Sequence, residues 1–209
     1  FFFKQKTAYE IVDCDWSSDV CSSDLVSIMS TSMVSLGIST GFQRSYGVFT
    51  RLGLTPLGTS RLVVAKALSI MIVELLQIVL IGIVASIMGW SSSPMSVVNA
   101  IGALLLGTLA FAGIGLTLAG RLRAEVNLAA QNGLYLVLLL TSGMIIDPES
   151  LPEQLGSTTR WLPAQPLADL LRSSLSGLTP SGRSWLVLLG WGVIAPMLAS
   201  RLFRWSPGD

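Results

Sequence analysis

Three side chains inside the longest apolar run of the chain, residues 62–89, are able to do chemistry: Lys66, Glu74 and Gln77. Lys66 stands in the first turn, where its methylene stem lets the ammonium reach a membrane surface. Glu74 lies eight residues deeper and has no such escape. An ionisable group at that depth either faces the interior of a helix bundle beside a path across the membrane, or is a structural carboxyl, protonated and bonded to a neighbour's backbone. Gln77 follows one turn later on the same face and is within reach of a hydrogen bond to Glu74. Glu74 and Gln77 are therefore the candidates for lining a path.

The remaining inventory excludes more than it offers. No GxxxxGK[ST] pattern is present, so a phosphate loop for nucleotide is not expected. The sequence has no His, and its two cysteines, Cys14 and Cys21, fall in the first 25 residues. With no acid pair inside an apolar run, the usual metal ligands, thiol nucleophiles and proton-relay dyads are missing, and neither catalytic nor metal residues are expected. The basic residues are scattered over separate loops rather than gathered on one face, which argues against nucleic acid as a partner.

The elements that must position Glu74 are membrane helices. Of 209 residues, 51% are hydrophobic and 12% charged, with a mean hydropathy of +0.68, far from the composition of a soluble domain. The opening 25 residues do not share this character. Residues 4–11, KQKTAYEI, and residues 15–25, DWSSDVCSSDL, look like short-read sequencing adapters translated in one consistent frame, so residues 1–25 are expected to be a non-native segment and are set aside. Lys4 and Lys6 account for two of the 13 basic residues, and Glu10, Asp13, Asp15, Asp19 and Asp24 for five of the 12 acids. Residues 26–209 then hold 11 and 7, a net charge of +4.

Five spans are expected in residues 26–209: 26–41, 62–89, 97–120, 128–146 and 185–203. The first is about 16 residues long, short of the roughly 20 that cross a bilayer, and reads as truncated. Its Ser, Thr and Gly positions suit close helix packing. Residues 42–61 form a basic, turn-rich elbow in which Val48, Phe49 and Leu52 fall at helical spacing before Thr55-Pro56 stops the helix. That stripe either lies along a membrane surface or docks into a groove on a partner. Residues 147–183 carry five prolines amid leucines, which predicts short helices half sunk in the interface.

Orientation follows from the basic residues. With the elbow inside, alternating spans place Arg44, Arg51, Arg61, Lys66, Arg121, Arg123, Arg201 and Arg204 on the cytoplasmic side, against Arg160, Arg172 and Arg183 outside.

Two stretches resemble a known family. The elbow YGVFTRLGLTPLGTSRLVVAK is similar to the cytoplasmic coupling region of ABC-2 type exporter permeases, the branch that includes daunorubicin-resistance-like drug exporters. SGMIIDPESLPEQL with RWLPAQPLADLLR resembles the extracellular re-entrant motif of the same family, here carried by Ser142, Gly143, Pro148, Glu149, Leu151 and Pro152. The resemblance implies an all-α polytopic bundle with about five of six spans present, the first lost behind the adapter. It implies a permease that exports an amphipathic drug-like or lipid-linked compound across a bacterial inner membrane. It further implies a dimer, with a second copy or a related permease, on a separate ABC ATPase that binds the ATP and magnesium; this chain would hold no cofactor and would not itself be an enzyme. Phe49, Arg51, Leu52 and Leu54 would make the ATPase contact. Relatives often carry acids beside the elbow arginine, whereas Gln43, Arg44, Ser45 and Tyr46 offer none, leaving any ion pair there open. An integral-membrane enzyme acting on lipids and a non-transporting membrane scaffold are the alternatives; the first would need convergent catalytic groups that are not found.

Overall fold

The computed structural model describes residues 23–49, 58–87, 94–142, 159–175 and 179–203, and among these there are helices and turns but no strand. Six helices among the described residues carry the fold. α1 spans Ser23–Ser45, α2 Thr59–Ile87, α3 Pro94–Arg121, α4 Ala124–Thr141, α5 Ala164–Leu175 and α6 Gly182–Leu202. Four of them, α1, α2, α3 and α6, are long and apolar enough to cross a membrane. α4, the fifth expected span, has 18 residues and is less apolar because Glu125, Asn127, Gln131 and Asn132 occupy its first half. α1 extends over 23 residues, where about 16 are expected from the apolar run, and takes in Ser23, Asp24 and Leu25. Leu25 is fully buried in the main apolar core, where continuing the helix carries it.

α3 is the axis of the bundle. It packs along nearly its whole length against α6 and also meets α1, α2, α4 and α5. Its glycines explain how one helix touches so many. A Cβ at Gly113 would fall 2.5 Å from the backbone of Ala195 and Pro196 in α6, and one at Gly115 would fall 2.7 Å from the carbonyl oxygen of Met33 in α1. Only a bare backbone permits those approaches, the means by which helices associate in lipid, where no hydrophobic effect drives them together. α2, by contrast, touches α1, α3 and α6 on one side and exposes Val64, Leu68, Ile72, Leu76 and Ile83.

α1 is irregular for a sequence reason. From Met29 to Ser35 it winds as a π-helix before returning to α-helix over Leu36–Ser45. Hydroxyls compete there for backbone carbonyls. Thr31 Oγ1 donates to Ser27 O at 2.7 Å and Ser30 Oγ to the same oxygen at 3.0 Å, while Ser32 Oγ donates to Ile28 O. The helix ends at Ser45, followed by a Tyr46-Gly47 turn in which Gly47 takes φ +72°, the left-handed conformation that favours glycine.

α5 departs from the expectation of short helices half sunk in the interface. Its Leu167, Leu170 and Leu171 are buried inside the bundle, and Leu167 sits over Gly107 near the middle of α3. The sequence signal, leucines interrupted by prolines, is the same for both placements. What decides is the missing side chain at Gly107, which opens a notch deep enough for a leucine.

Candidate functional site

Glu74 is 5% exposed and points into the bundle, near the middle of α2. Its Oε2 is in hydrogen-bond contact with Thr108 Oγ1 of α3, whose single hydroxyl proton is shared with Leu104 O at 2.9 Å. The expected Glu74–Gln77 pairing is corrected by this geometry. Gln77 instead reaches α1, donating from Nε2 to Ser27 Oγ at 2.8 Å, and Ser27 Oγ lies 3.2 Å from Gln77 Oε1. Three residues along a helix turn the second side chain by about 300°, which is enough here to aim Glu74 at α3 and Gln77 at α1. Together they tie α2 to both neighbours. The space among Asp24, Ser27, Glu74 and Gln77 is about 10 Å³, no more than one water needs, so these polar groups are tightly packed.

A second polar seam joins α1, α3 and α4 and was not legible as such in the sequence. Asn127 Nδ2 donates to Gly37 O at 2.9 Å, and Gln131 Nε2 donates to Gly115 O at 2.9 Å and to Asn127 Oδ1 at 3.2 Å. Gly37 and Gly41 make room for these amides, since a Cβ at either would collide with Gln131 or Asn127. The signal was two amides at i and i+4 in an apolar helix, facing two glycines at i and i+4 in another. Gln131 Oε1 and Thr40 Oγ1, both buried, have no partner among the described residues.

The helix ends nearest the elbow are stitched together at its start. Phe49 is 1% exposed, and its ring meets that of Phe203, at the end of α6, edge-on at 5.5 Å. Lys66 Nζ stands 5.9 Å from the Phe49 ring centre and donates to Gln43 Oε1 at 2.7 Å. The expected stripe is thereby divided: Val48 is exposed and Phe49 is turned inward, so its ring anchors the elbow within this chain instead of offering a free apolar surface. Arg44, buried, donates from Nη1 to the carbonyls of Ala119 and Leu122 at 3.3 Å each, closing the C-terminal end of α3. Arg51, Leu52 and Leu54 lie outside the described residues.

On the opposite side, Ser142 is buried at the end of α4 and donates to Leu139 O at 2.7 Å. Gly143, Pro148, Glu149, Leu151 and Pro152 lie outside the described residues. Trp191 Nε1 of α6 donates to Trp161 O at 2.7 Å, and Arg183 lies 5.2 Å over the Trp161 ring.

Among the described residues the arrangement draws no reactive groups into a catalytic set; it links membrane helices through a few polar contacts whose partners sit on different helices. Comparison with known proteins agrees with that character. Residues 25–175 match the family described as ABC-2 type transporter. A protein of Bacillus subtilis (strain 168), "Putative transport permease YvfS", is 27% identical over 180 residues, covering 85% of this chain and 73% of that protein. No solved structure matches. The chain is a multi-pass membrane protein and a transport permease, and it belongs to the ABC-2 type transporter family.

Proposed function

We propose that this permease is the membrane half of an ATP-driven exporter: a separate ATPase binds ATP and magnesium, docks on the elbow of residues 42–61, and drives an amphipathic drug-like or lipid-linked compound out through a pair of permease chains. The observation that carries the reading is the seat of Phe49. Its contacts with Phe203 and Lys66 fasten the elbow to the inner ends of α6 and α2. A displacement of the elbow is then passed to α2, the helix that holds Glu74 against α3 and Gln77 against α1. Breaking those two contacts frees Glu74 and Gln77 and lets α2 part from its neighbours, the change an alternating path needs. Leu52, with Arg51 and Leu54, supplies the contact outside the chain, and Phe49 holds that segment in place. The motif of Ser142, Gly143, Pro148, Glu149, Leu151 and Pro152 closes the outer side.

Leu52→Asp tests this. The substitution places a charge where an apolar groove should receive a leucine, so ATPase co-purification should fall roughly tenfold or more while membrane levels of the permease stay unchanged. Normal co-purification together with normal substrate-stimulated ATP hydrolysis would return the elbow to a passive surface helix. Residues 1–25 are read as translated adapter on the strength of two matching strings. Sequencing the gene upstream of codon 26 should yield a different, apolar coding sequence; recovery of the same 25 codons would overturn that reading.

A further inference from the structure

Between the inner ends of α1, α3 and α4 lies a cleft of about 110 Å³, lined by Gly41, Arg44, Ser45, Arg121, Arg123 and Ala124 together with Leu122. Its electrostatics are one-sided. At the end of α3, Arg44 donates to Ala119 O in the last turn and to Leu122 O just beyond it, so its guanidinium offsets part of the negative end of that helix. The start of α4 is the reverse. Arg123 is its N-cap residue, in extended conformation, and makes no side-chain capping bond. The first-turn N–H groups of a helix have no acceptor within the helix, and they form its partially positive end. Arg121 and Arg123, both exposed, line the cleft and bring two positive charges to it. Glu125 is the acid in the first turn of α4, one residue beyond the cleft lining, and is exposed.

We propose that this cleft is a binding site for a phosphate group at the inner membrane surface, one that links the permease to its surroundings independently of the translocation path. The volume accommodates a tetrahedral oxyanion, guanidinium groups match it with paired donors, and backbone N–H groups at a helix start complete the cradle. Basic pockets between membrane helices on this side commonly hold anionic headgroups. Occupancy would clamp the end of α1 to the α3–α4 turn, adjacent to the elbow, so the bound phosphate would stabilise the same corner that Phe49 anchors.

The source of the phosphate, an anionic phospholipid or a free ion, is separated by two measurements on the full chain. In nanodiscs of mixed phosphatidylglycerol and phosphatidylcholine, the wild type should retain phosphatidylglycerol preferentially when released and weighed by native mass spectrometry. In detergent, inorganic phosphate should raise the thermal midpoint if the free ion is a ligand; a response to the lipid alone assigns the headgroup. Arg121→Gln with Arg123→Gln should weaken either response by about fivefold for each arginine removed, and the Lys pair should restore most of it. Because those variants remove charges near a helix end, Ala124→Asp provides a second test. A carboxylate in the first turn favours the helix yet repels phosphate, so binding should fall without loss of thermal stability. Equal lipid retention by wild type, the Gln pair and Ala124→Asp, with no response to inorganic phosphate, would overturn the proposal.

Discussion

The bond between Thr108 and Glu74 is a buried polar tie between α2 and α3. Thr108→Val keeps the shape and removes the donor. It should destabilise the protein by about 1–3 kcal/mol, the range for leaving a buried polar group unsatisfied, read as a lower thermal midpoint in detergent. Glu74→Leu combined with Thr108→Val should recover much of that loss, since both polar partners are then gone; a double variant as unstable as the sum of the singles would show that the two groups do not interact. Glu74 could be picked out of the sequence because an acid deep in an apolar run must face the bundle interior, whether as a structural carboxyl or beside a path. Its partner could not. Threonine is common in such helices and normally satisfies itself against the preceding turn, as Thr117 does with Gly113 O at 2.7 Å, so nothing in the letters at position 108 distinguished it. The Gln77 assignment failed for a related reason, because helix periodicity gives a face about a quarter-turn wide and cannot say which of two neighbours a side chain on it will reach.

The helices themselves were legible from their apolar runs, whereas their mutual distances were not. Those distances are set by glycines that look alike in sequence and differ in what faces them. Gly113 and Gly115 of α3 face backbone atoms of α6 and α1, while a Cβ at Gly82 of α2 or Gly133 of α4 would have nothing within 4 Å. Gly113→Ala and Gly115→Ala should each cost about 1–3 kcal/mol, because rigid backbones must move apart. Gly82→Ala and Gly133→Ala should be neutral or stabilise by about 0.5–1 kcal/mol through the loss of glycine's backbone freedom. Thermal midpoints of the four variants check the pattern, and equal effects at all four positions would mean that the close crossings of α3 do not limit packing. The same consideration explains the seating of α5. Its leucine pattern announced an amphipathic helix, but whether the apolar face meets lipid or protein was decided by Gly107 on another helix, some sixty residues earlier in the chain.

At the scale of the whole molecule, contacts between helix ends gather the basic residues on one side of the bundle. Arg44 binds the end of α3, Lys66 binds Gln43 at the end of α1, and Phe49 meets Phe203 at the end of α6, so the basic ends of α1, α2, α3 and α6 all lie on one side of the bundle. Arg183 and Trp161 meet on the other. A count of basic residues carries no information on whether these helix ends touch, and the structure gathers them by contacts that do not depend on charge alone. Retention of the basic side in the cytoplasm therefore predicts opposite labelling at two exposed serines, Ser45 at the end of α1 and Ser181 before α6. With Cys14 and Cys21 replaced by Ser, a cysteine at position 181 should react with a membrane-impermeant maleimide in intact cells. One at position 45 should react only after the membrane is permeabilised. Labelling of position 45 in intact cells, with position 181 protected, would invert the molecule and with it the placement of the elbow, the phosphate cleft and the ATPase on the inner face. Equal labelling of both in intact cells would mean a mixed topology, in which the eight basic residues assigned to the inner side fail to outweigh the three outside.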